Sequence, residues 1–438
     1  MTQPCVLICT IGGSHEPIVT GILTHRPRLV HFLCSDDVGK QKGSYTQVLG
    51  EGKIIKSRRE LERPDLPNIP AQAGLQTEQL KVHRIKDFDD LNGCYLKSVQ
   101  VLAEIRRASP DARIVVDYTG GTKSMTAGLA AAALDDGGCE ISLVVGRRGD
   151  LVAVQSQTEF VRPVHVWDAQ ALRRVHAARE VLVRYDYAAA EQVLRDATAR
   201  FAGEQTISML QRGIALCRVF DAWDKFQHSD ARRLLQPYQS HFVNWWRILG
   251  VLAGDSEGHG FEWVEDLLMN AERRGSQERF DDAVGRFYRA AELTAQVWLR
   301  LAHGIETSDV QFAGTPESYH PSLERCRDAD GRIKIGLLLA WDLIAAIPDD
   351  PLGIAFAAQR GRMLDFLKVR NSSLFAHGLR PVSNSDFRLH GTFVTTFLRS
   401  CIDAAIANRS LRRPVVLQQF PNNFLESATD SIGADKSD

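Results

Sequence analysis

A chain of 438 residues has room for two or three domains, each able to bury its own core. Its 53 Lys and Arg against 54 Asp and Glu exclude the global basicity of a bulk nucleic-acid binder, so any nucleic-acid contact must be local. Eight scattered cysteines with no C-x-x-C pair, and no apolar run long enough for a bilayer, predict a cytoplasmic protein without structural disulfides, zinc site or membrane span.

In chain order, residues 1–165 alternate strand and helix patterns. Residues 5–9 form an apolar run, Gly12-Gly13-Ser14 a turn, and 16–23 a helix with Pro17 in its first turn. Residues 29–33 are the second strand, which ends in Cys34-Ser35-Asp36. Further strands are expected at 82–85, 112–116 and 141–145, with a helix at 91–107. Strands alternating with helices predict an α/β Rossmann-like domain whose parallel sheet is covered on both faces.

The interruption at 39–64 carries seven basic side chains against three acidic ones: Lys40, Lys42, Lys53, Lys56, Arg58, Arg59 and Arg63. It reads either as a solvated helix face or as a wall over a phosphate ligand on the carboxyl side of the sheet. Arg147 and Arg148 are weaker candidates of the same kind.

The stretch Asp117-Tyr118-Thr119-Gly120-Gly121-Thr122-Lys123-Ser124-Met125 organises this half. It joins a buried strand to an Ala- and Leu-rich helix over 125–134, interrupted only by Gly128. Glycines that admit a close backbone, unpaired helix N–H groups and a Lys make an anion cradle. Asp117 would lie at the carboxyl end of its strand, where open α/β sheets bind ligands. The motif is neither a P-loop nor a G-x-G-x-x-G fingerprint. Its glycines could also serve tight packing alone.

After Pro163 the strand signals stop. Val175, Ala178, Leu182 and Tyr185 begin a helical pattern that runs to about Gly254. Tyr185-Asp186-Tyr187-Ala188, His228-Ser229-Asp230-Ala231 and Phe280-Asp281-Asp282-Ala283 each resemble a helix start with Asp near the cap. Their uneven spacing argues for an irregular helical linker rather than a repeat array. Ala283, Phe287, Ala290, Val297 and Leu301 predict a core helix over 280–301. Thr294 in that stripe should bond back one turn, and Arg289 and Glu292 should pair on its flank. Pro421-Asn422-Asn423 should open a disordered tail.

Arg370-Asn371-Ser372-Ser373-Leu374-Phe375-Ala376-His377 stands out in the second half. On a continuous helix Arg370 and His377 would share one face about 10 Å apart. Asn371 and the serines could instead cap or loosen the helix.

Two resemblances follow from these residues. The nine residues from Asp117 to Met125 resemble the signature loop of CARF domains, the Rossmann-like sensors of CRISPR systems that bind cyclic oligoadenylates, and Thr10-Ile11-Gly12-Gly13-Ser14 resembles the first strand–loop of that family. Arg370 to His377 is similar to the Arg-x4–6-His motif of HEPN ribonucleases, at its longest spacing and with the Asn that often follows the Arg; 280–293 resembles the long first HEPN helix. Together they resemble the CRISPR type III ancillary ribonucleases. The resemblance implies a CARF-like domain at 1–165, an all-α linker at 166–258, an all-α HEPN-like domain at 259–418 and a disordered tail at 419–438.

It further implies catalysis by Arg370, Asn371 and His377 without a metal or other cofactor. A cyclic oligoadenylate activator, tetra-adenylate favoured over hexa-adenylate, would be held by Thr10, Gly12, Gly13, Ser14, Ser35, Asp117, Thr119, Gly120, Gly121, Thr122, Lys123 and Ser124. Backbone N–H groups, Lys123 and the Thr119 and Thr122 hydroxyls would meet phosphodiesters, while Asp117 would orient the turn or accept from a ribose or adenine group. The expected substrate is single-stranded RNA rather than DNA, and the expected assembly a homodimer with composite sites. The alternatives are a non-nucleolytic sensor with a helical partner-binding module, or a ring nuclease in which Lys123, Ser14 or His15 assists cleavage of the cyclic ligand.

Overall fold

The structure is a computed structural model and describes residues 3–50, 67–146, 158–196 and 203–425. The chain divides into two compact units, with the boundary between Arg173 and Arg174.

The first unit is built on six strands: β1 (Cys5–Ile11), β2 (Leu29–Ser35), β3 (Leu80–Ile85), β4 (Arg113–Asp117), β5 (Glu140–Val145) and β6 (Phe160–Val164). Their order is β3-β2-β1-β4-β5-β6. The first five are parallel, as the alternating pattern predicts, because helices cover both faces and leave β1 wholly buried. β6 departs from the all-parallel expectation and pairs antiparallel with β5. It is a mostly exposed edge carrying Pro163, where a missing N–H costs no central ladder bond. The covering helices are α1 (Glu16–His25), α2 (Leu91–Ala108) and α3 (Lys123–Asp136). Gly128 admits α3 against the α2 backbone at Cys94 and Tyr95.

Within this sheet His31 on β2 stacks on His83 of β3, ring centroids 5.2 Å apart, with Nδ1 and Nε2 3.0 Å apart. Burial pushes His31 down to about 4, with His83 and Lys81 acting in the same direction; burial also lowers His83. The fold therefore holds His31 neutral, and the stability it contributes is complete above the ordinary value near 6.5 and lost as pH falls from there toward 4. His31→Phe is expected to flatten the loss of melting temperature between pH 6.5 and 4, in thermal melts compared with wild type.

The second unit is helical: the remainder of α4 (Trp167–Leu182), then α5 (Tyr187–Arg195), α6 (Glu204–Asp224), α7 (His228–Leu235), α8 (Val243–Leu252), α9 (Phe261–Ser276), α10 (Phe280–His303), α11 (Leu337–Ala346), α12 (Pro351–Ser372) and α13 (Asn384–Asn408). Three helical hairpins, α4–α5, α6–α7 and α9–α10, turn through left-handed residues Tyr185, Phe226 and Glu278. Five residues after each lies a fully buried alanine, Ala190, Ala231 or Ala283. The turns are equivalent although 41 and then 52 residues separate positions 185, 226 and 278. Of the aspartates read as caps, Asp186 caps α5 by accepting from Ala189 N at 3.1 Å. Asp230 pairs with Arg233 instead, and the positions before α7 and α10 are Gln227 and Arg279. The apolar stripe of α10 is as expected: Thr294 donates to the Ala290 carbonyl at 2.8 Å, and Arg289 meets Glu292 at 2.6 Å.

The expected tail is in part folded. Phe420 and Leu425 are buried, the Tyr187 hydroxyl donates to the Pro421 carbonyl at 3.0 Å, and the Arg273 guanidinium lies 3.6 Å over the Phe420 ring. Aromatic burial outweighs the polar Pro-Asn-Asn signal here. Residues 426–438 of the expected tail lie outside the described residues. Beneath this segment Asp224 accepts from Arg273 Nε and Asn270 Nδ2, both at 2.7 Å, and from Arg274. Arg273 is fully buried. Asp224→Ala would strand that charge, and is expected to destabilise the unit by about 3–5 kcal/mol in denaturant melts, with Asp224→Asn costing less.

Candidate functional site

The strand order of the first unit reverses beside β1, between β2 and β4, and the loops after β1 and β4 open there as Rossmann topology requires. Gly12 and Gly121 bring these loops into contact: a Cβ on Gly12 would lie 2.6 Å from Gly121 N, and Gly121 itself has φ +96°. A groove of about 990 Å³ runs over them, lined by Gly12, Gly13, Ser14, Ser35, Gly121 and Thr122 among the expected residues. Gly13 and Ser14 are exposed just before α1, which has no side-chain cap, so the backbone of this turn can meet an anion.

The other expected residues stand behind the groove or are already engaged. The buried Thr10 donates its hydroxyl to the Gly120 carbonyl, which also accepts from Thr126 at 2.9 Å. Asp117 is buried, and its Oδ1 accepts from both the N–H and the hydroxyl of Thr119. Burial raises the Asp117 carboxyl above its ordinary value, against the lowering effect of the Thr119 bonds. These bonds tie Asp117 to the turn. Thr119 Oγ1 also accepts from Val144 N at 2.8 Å, tying the turn to β5. Thr122 caps α3 and donates to the Phe88 carbonyl at 2.6 Å; Ser124 donates to the Asp89 carbonyl at 2.7 Å. The Thr119 and Thr122 hydroxyl protons expected to face phosphate therefore serve the protein's own carboxylate and carbonyl. Lys123 is exposed at the start of α3 and makes no ion pair among the described residues.

The loop after β2, part of the segment read as a possible wall over the ligand, supplies lining residues that the sequence reading did not single out. Gln47 donates to the Gly12 carbonyl at 2.6 Å, and Ser44 exchanges hydrogen bonds with Ser35. Asp36 pairs with Arg84, whose guanidinium lies 3.9 Å over Tyr45. Gly43 beside Ser44 was the available signal, since a Cβ there would collide with the Ser35 carbonyl. Of the basic run, Lys42 lines the groove and pairs with Asp37 at 3.3 Å, while Lys40 is exposed. Lys53, Lys56, Arg58, Arg59, Arg63, Arg147 and Arg148 lie outside the described residues.

In the second unit α12 starts at Asp350, which caps it through Gly353 N at 2.8 Å and accepts from Trp298 Nε1 at 2.9 Å. It ends at Ser372, so Arg370 and His377 do not share a continuous helix. The serines decide this: Ser372 and Ser373 hydroxyls donate to the Val369 and Arg370 carbonyls at 2.9 and 2.7 Å. The chain then folds back, with His377 N donating to the Asn371 carbonyl at 3.3 Å and Arg380 N to Ser372 at 3.0 Å. This fold-back ties the His377 backbone to the helix end that bears Arg370. Arg370 is half-buried, its guanidinium 4.0 Å over the Tyr288 ring of α10 and 3.0 Å from Asn371 Oδ1. Tyr288 is a residue the motif reading missed. His377 is exposed, and so are Leu374, Phe375 and Leu379 around it, at 63, 59 and 87%.

Residues 255–400 match the Csm6 HEPN domain family. The whole chain superposes on the Enterococcus italicus Csm6 bound to cyclic hexa-2′-fluoro-hexa-dAMP, with a TM-score of 0.56, 13% identity and coverage of 98% of this chain and 99% of that one, a likeness of fold. Can2 from Sulfobacillus thermosulfidooxidans in complex with cyclic tetra-adenylate matches over 50% of this chain and 67% of its own, at 12% identity and a TM-score of 0.23, too low to bear on the fold. No curated protein sequence matches. The helical half thus contains a stretch that matches the Csm6 HEPN domain family, it follows a Rossmann-like sheet in the sequence, and the chain shares its fold with a Csm6.

Proposed function

We propose that the protein is an endoribonuclease activated by a cyclic oligoadenylate, with residues 1–165 as sensor, 166–258 as linker and 259–418 as nuclease. The observation that carries this reading is the fold-back at the end of α12, which joins Arg370, Asn371 and His377 inside the stretch that matches the Csm6 HEPN domain. RNA brings its own nucleophile. Attack of a 2′-OH on the adjacent phosphorus forms the cyclic phosphate and breaks the bond to the 5′ oxygen. The 2′ proton must leave and the 5′ oxygen must gain one, and His377 can perform one of these transfers. Arg370 can bind two phosphate oxygens with its planar fork.

The exposed Leu374, Phe375 and Leu379 beside His377 support a homodimer in which two copies of the motif face one another. In the sensor, the exposed N–H groups at Gly13 and Ser14, the α3 start and Lys123 are the groups that would meet phosphodiesters. The test incubates the protein with labelled RNA and cyclic tri-, tetra- or hexa-adenylate. Cleavage with one ring size, unaffected by EDTA and leaving 2′,3′-cyclic phosphate ends, is expected. A strict need for a divalent metal would overturn the mechanism.

A further inference from the structure

One face of α10 carries a groove that neither candidate site uses. Its volume is about 530 Å³, its floor is apolar with Phe226, Leu293 and Val297, and Trp263 and two arginines, Arg289 and Arg300, complete it. Trp263 is 38% exposed, so part of its ring faces the groove. Its orientation is fixed from within: His228 meets it edge-on at 4.6 Å and is itself held by Asp266 at 3.0 Å. Arg300 has no carboxylate partner among the described residues, and Arg289 is shared between Glu292 and Gln296.

The groove lies on the helix that carries Tyr288, about 100° around the axis from that ring. Arg289 follows Tyr288, the ring beneath Arg370. From Arg289 the groove follows α10 to Arg300, which at 1.5 Å per residue is about 16 Å. A fixed aromatic face, an apolar floor and flanking guanidiniums are the chemistry that takes an unstacked base with its phosphates. A paired base cannot leave its stack without cost, so such a groove selects single strands.

We propose that this groove is a stacking subsite for an unpaired base of the substrate RNA, with Trp263 against the base and Arg289 and Arg300 toward the neighbouring phosphates. The assignment rests on the ribonuclease reading and names how that site holds its substrate.

The experiment uses the full chain with His377→Ala, so that RNA is not consumed, and follows a fluorescein-labelled single-stranded RNA by anisotropy. Adding Trp263→Leu is expected to weaken binding by about five- to a hundredfold, the range for one lost stacking contact. Trp263→Phe should keep most of the affinity, and Arg300→Ala should weaken binding and reduce its salt dependence. In the cleaving background the losses should fall in KM rather than kcat. Binding within twofold of the parent for both Trp263→Leu and Arg300→Ala would overturn the subsite while leaving the ribonuclease reading intact. A change of oligomeric mass on Trp263→Leu without a change in RNA affinity would also overturn it and make the groove a protein interface. If the His377→Ala parent does not bind RNA and the unsubstituted protein with activator does not cut it, both readings fall. Should Trp263→Leu fail to fold, Trp263→Phe and Arg300→Ala decide the matter.

Discussion

Alanine at either Arg370 or His377 is expected to abolish RNA cleavage while leaving activator binding and dimerisation intact. Both residues belong to the second unit, remote in sequence from the Rossmann-like sheet. Loss of a positioned general acid or base costs about 10²–10⁴ in rate, and loss of one transition-state donor costs about 3–4 kcal/mol. The two effects act on one step, so the double variant should be little worse than the poorer single one. Arg370→Lys should be nearly as damaging as alanine, because a point charge on a flexible stem neither stacks flat on Tyr288 nor forms a two-pronged contact with phosphate. Single-turnover cleavage at saturating activator, with activator affinity and molecular mass measured in parallel, reads all of this. Full activity in the double variant would refute the assignment.

The second large effect lies in the sensor loop. Gly121→Val meets two obstacles at once. The backbone there has φ +96°, which a β-branched residue resists, and its Cβ would sit 3.0 Å from Thr10 Cβ and 3.2 Å from Met125 Cβ. Since Gly121 also abuts Gly12, the strain would spread to both loops of the groove. The activator concentration for half-maximal cleavage should rise well above that of Lys123→Ala. For the latter, one or two lost charge-assisted hydrogen bonds of roughly 1.5–3 kcal/mol each give at least about a tenfold rise. Cleavage should recover at saturating activator in the Lys123 variant. Persistent loss of turnover with unchanged activator affinity would remove the loop from sensing.

Thr122→Ala separates the internal from the ligand-facing roles of the same loop. Its hydroxyl caps α3 and holds the Phe88 carbonyl, so the variant should lower the melting temperature, in line with about 1 kcal/mol for a lost cap. A rise in the activator requirement without any loss of stability would place the hydroxyl on the ligand instead.

The sequence by itself determined what depends on neighbours along the chain. Apolar runs of strand length separated by helical segments specify the parallel sheet, because a strand buried on both faces must be apolar throughout. The spacing from Ala283 to Leu301 specifies α10, and the bond of Thr294 to a carbonyl one turn earlier follows from helix geometry alone. The two short motifs, Asp117 to Met125 and Arg370 to His377, were legible because their residue types and spacing are local.

Tertiary structure decided the matters that join distant residues. The antiparallel pairing of β6 depends on an edge left open by β5, and Pro163 gave no local sign of it. Thr122 and Ser124 find carbonyls at Phe88 and Asp89, which packing of the two loops brings to them. The Tyr288 platform reaches Arg370 only because α10 and α12 pack in one core. Phe420 and Leu425 are buried because Tyr187, Phe220 and Arg273 form a site for them, against the polar signal of the residues between. Hydrophobic periodicity shows which face of an element is buried, but the partner it meets is chosen by the packing of the whole unit.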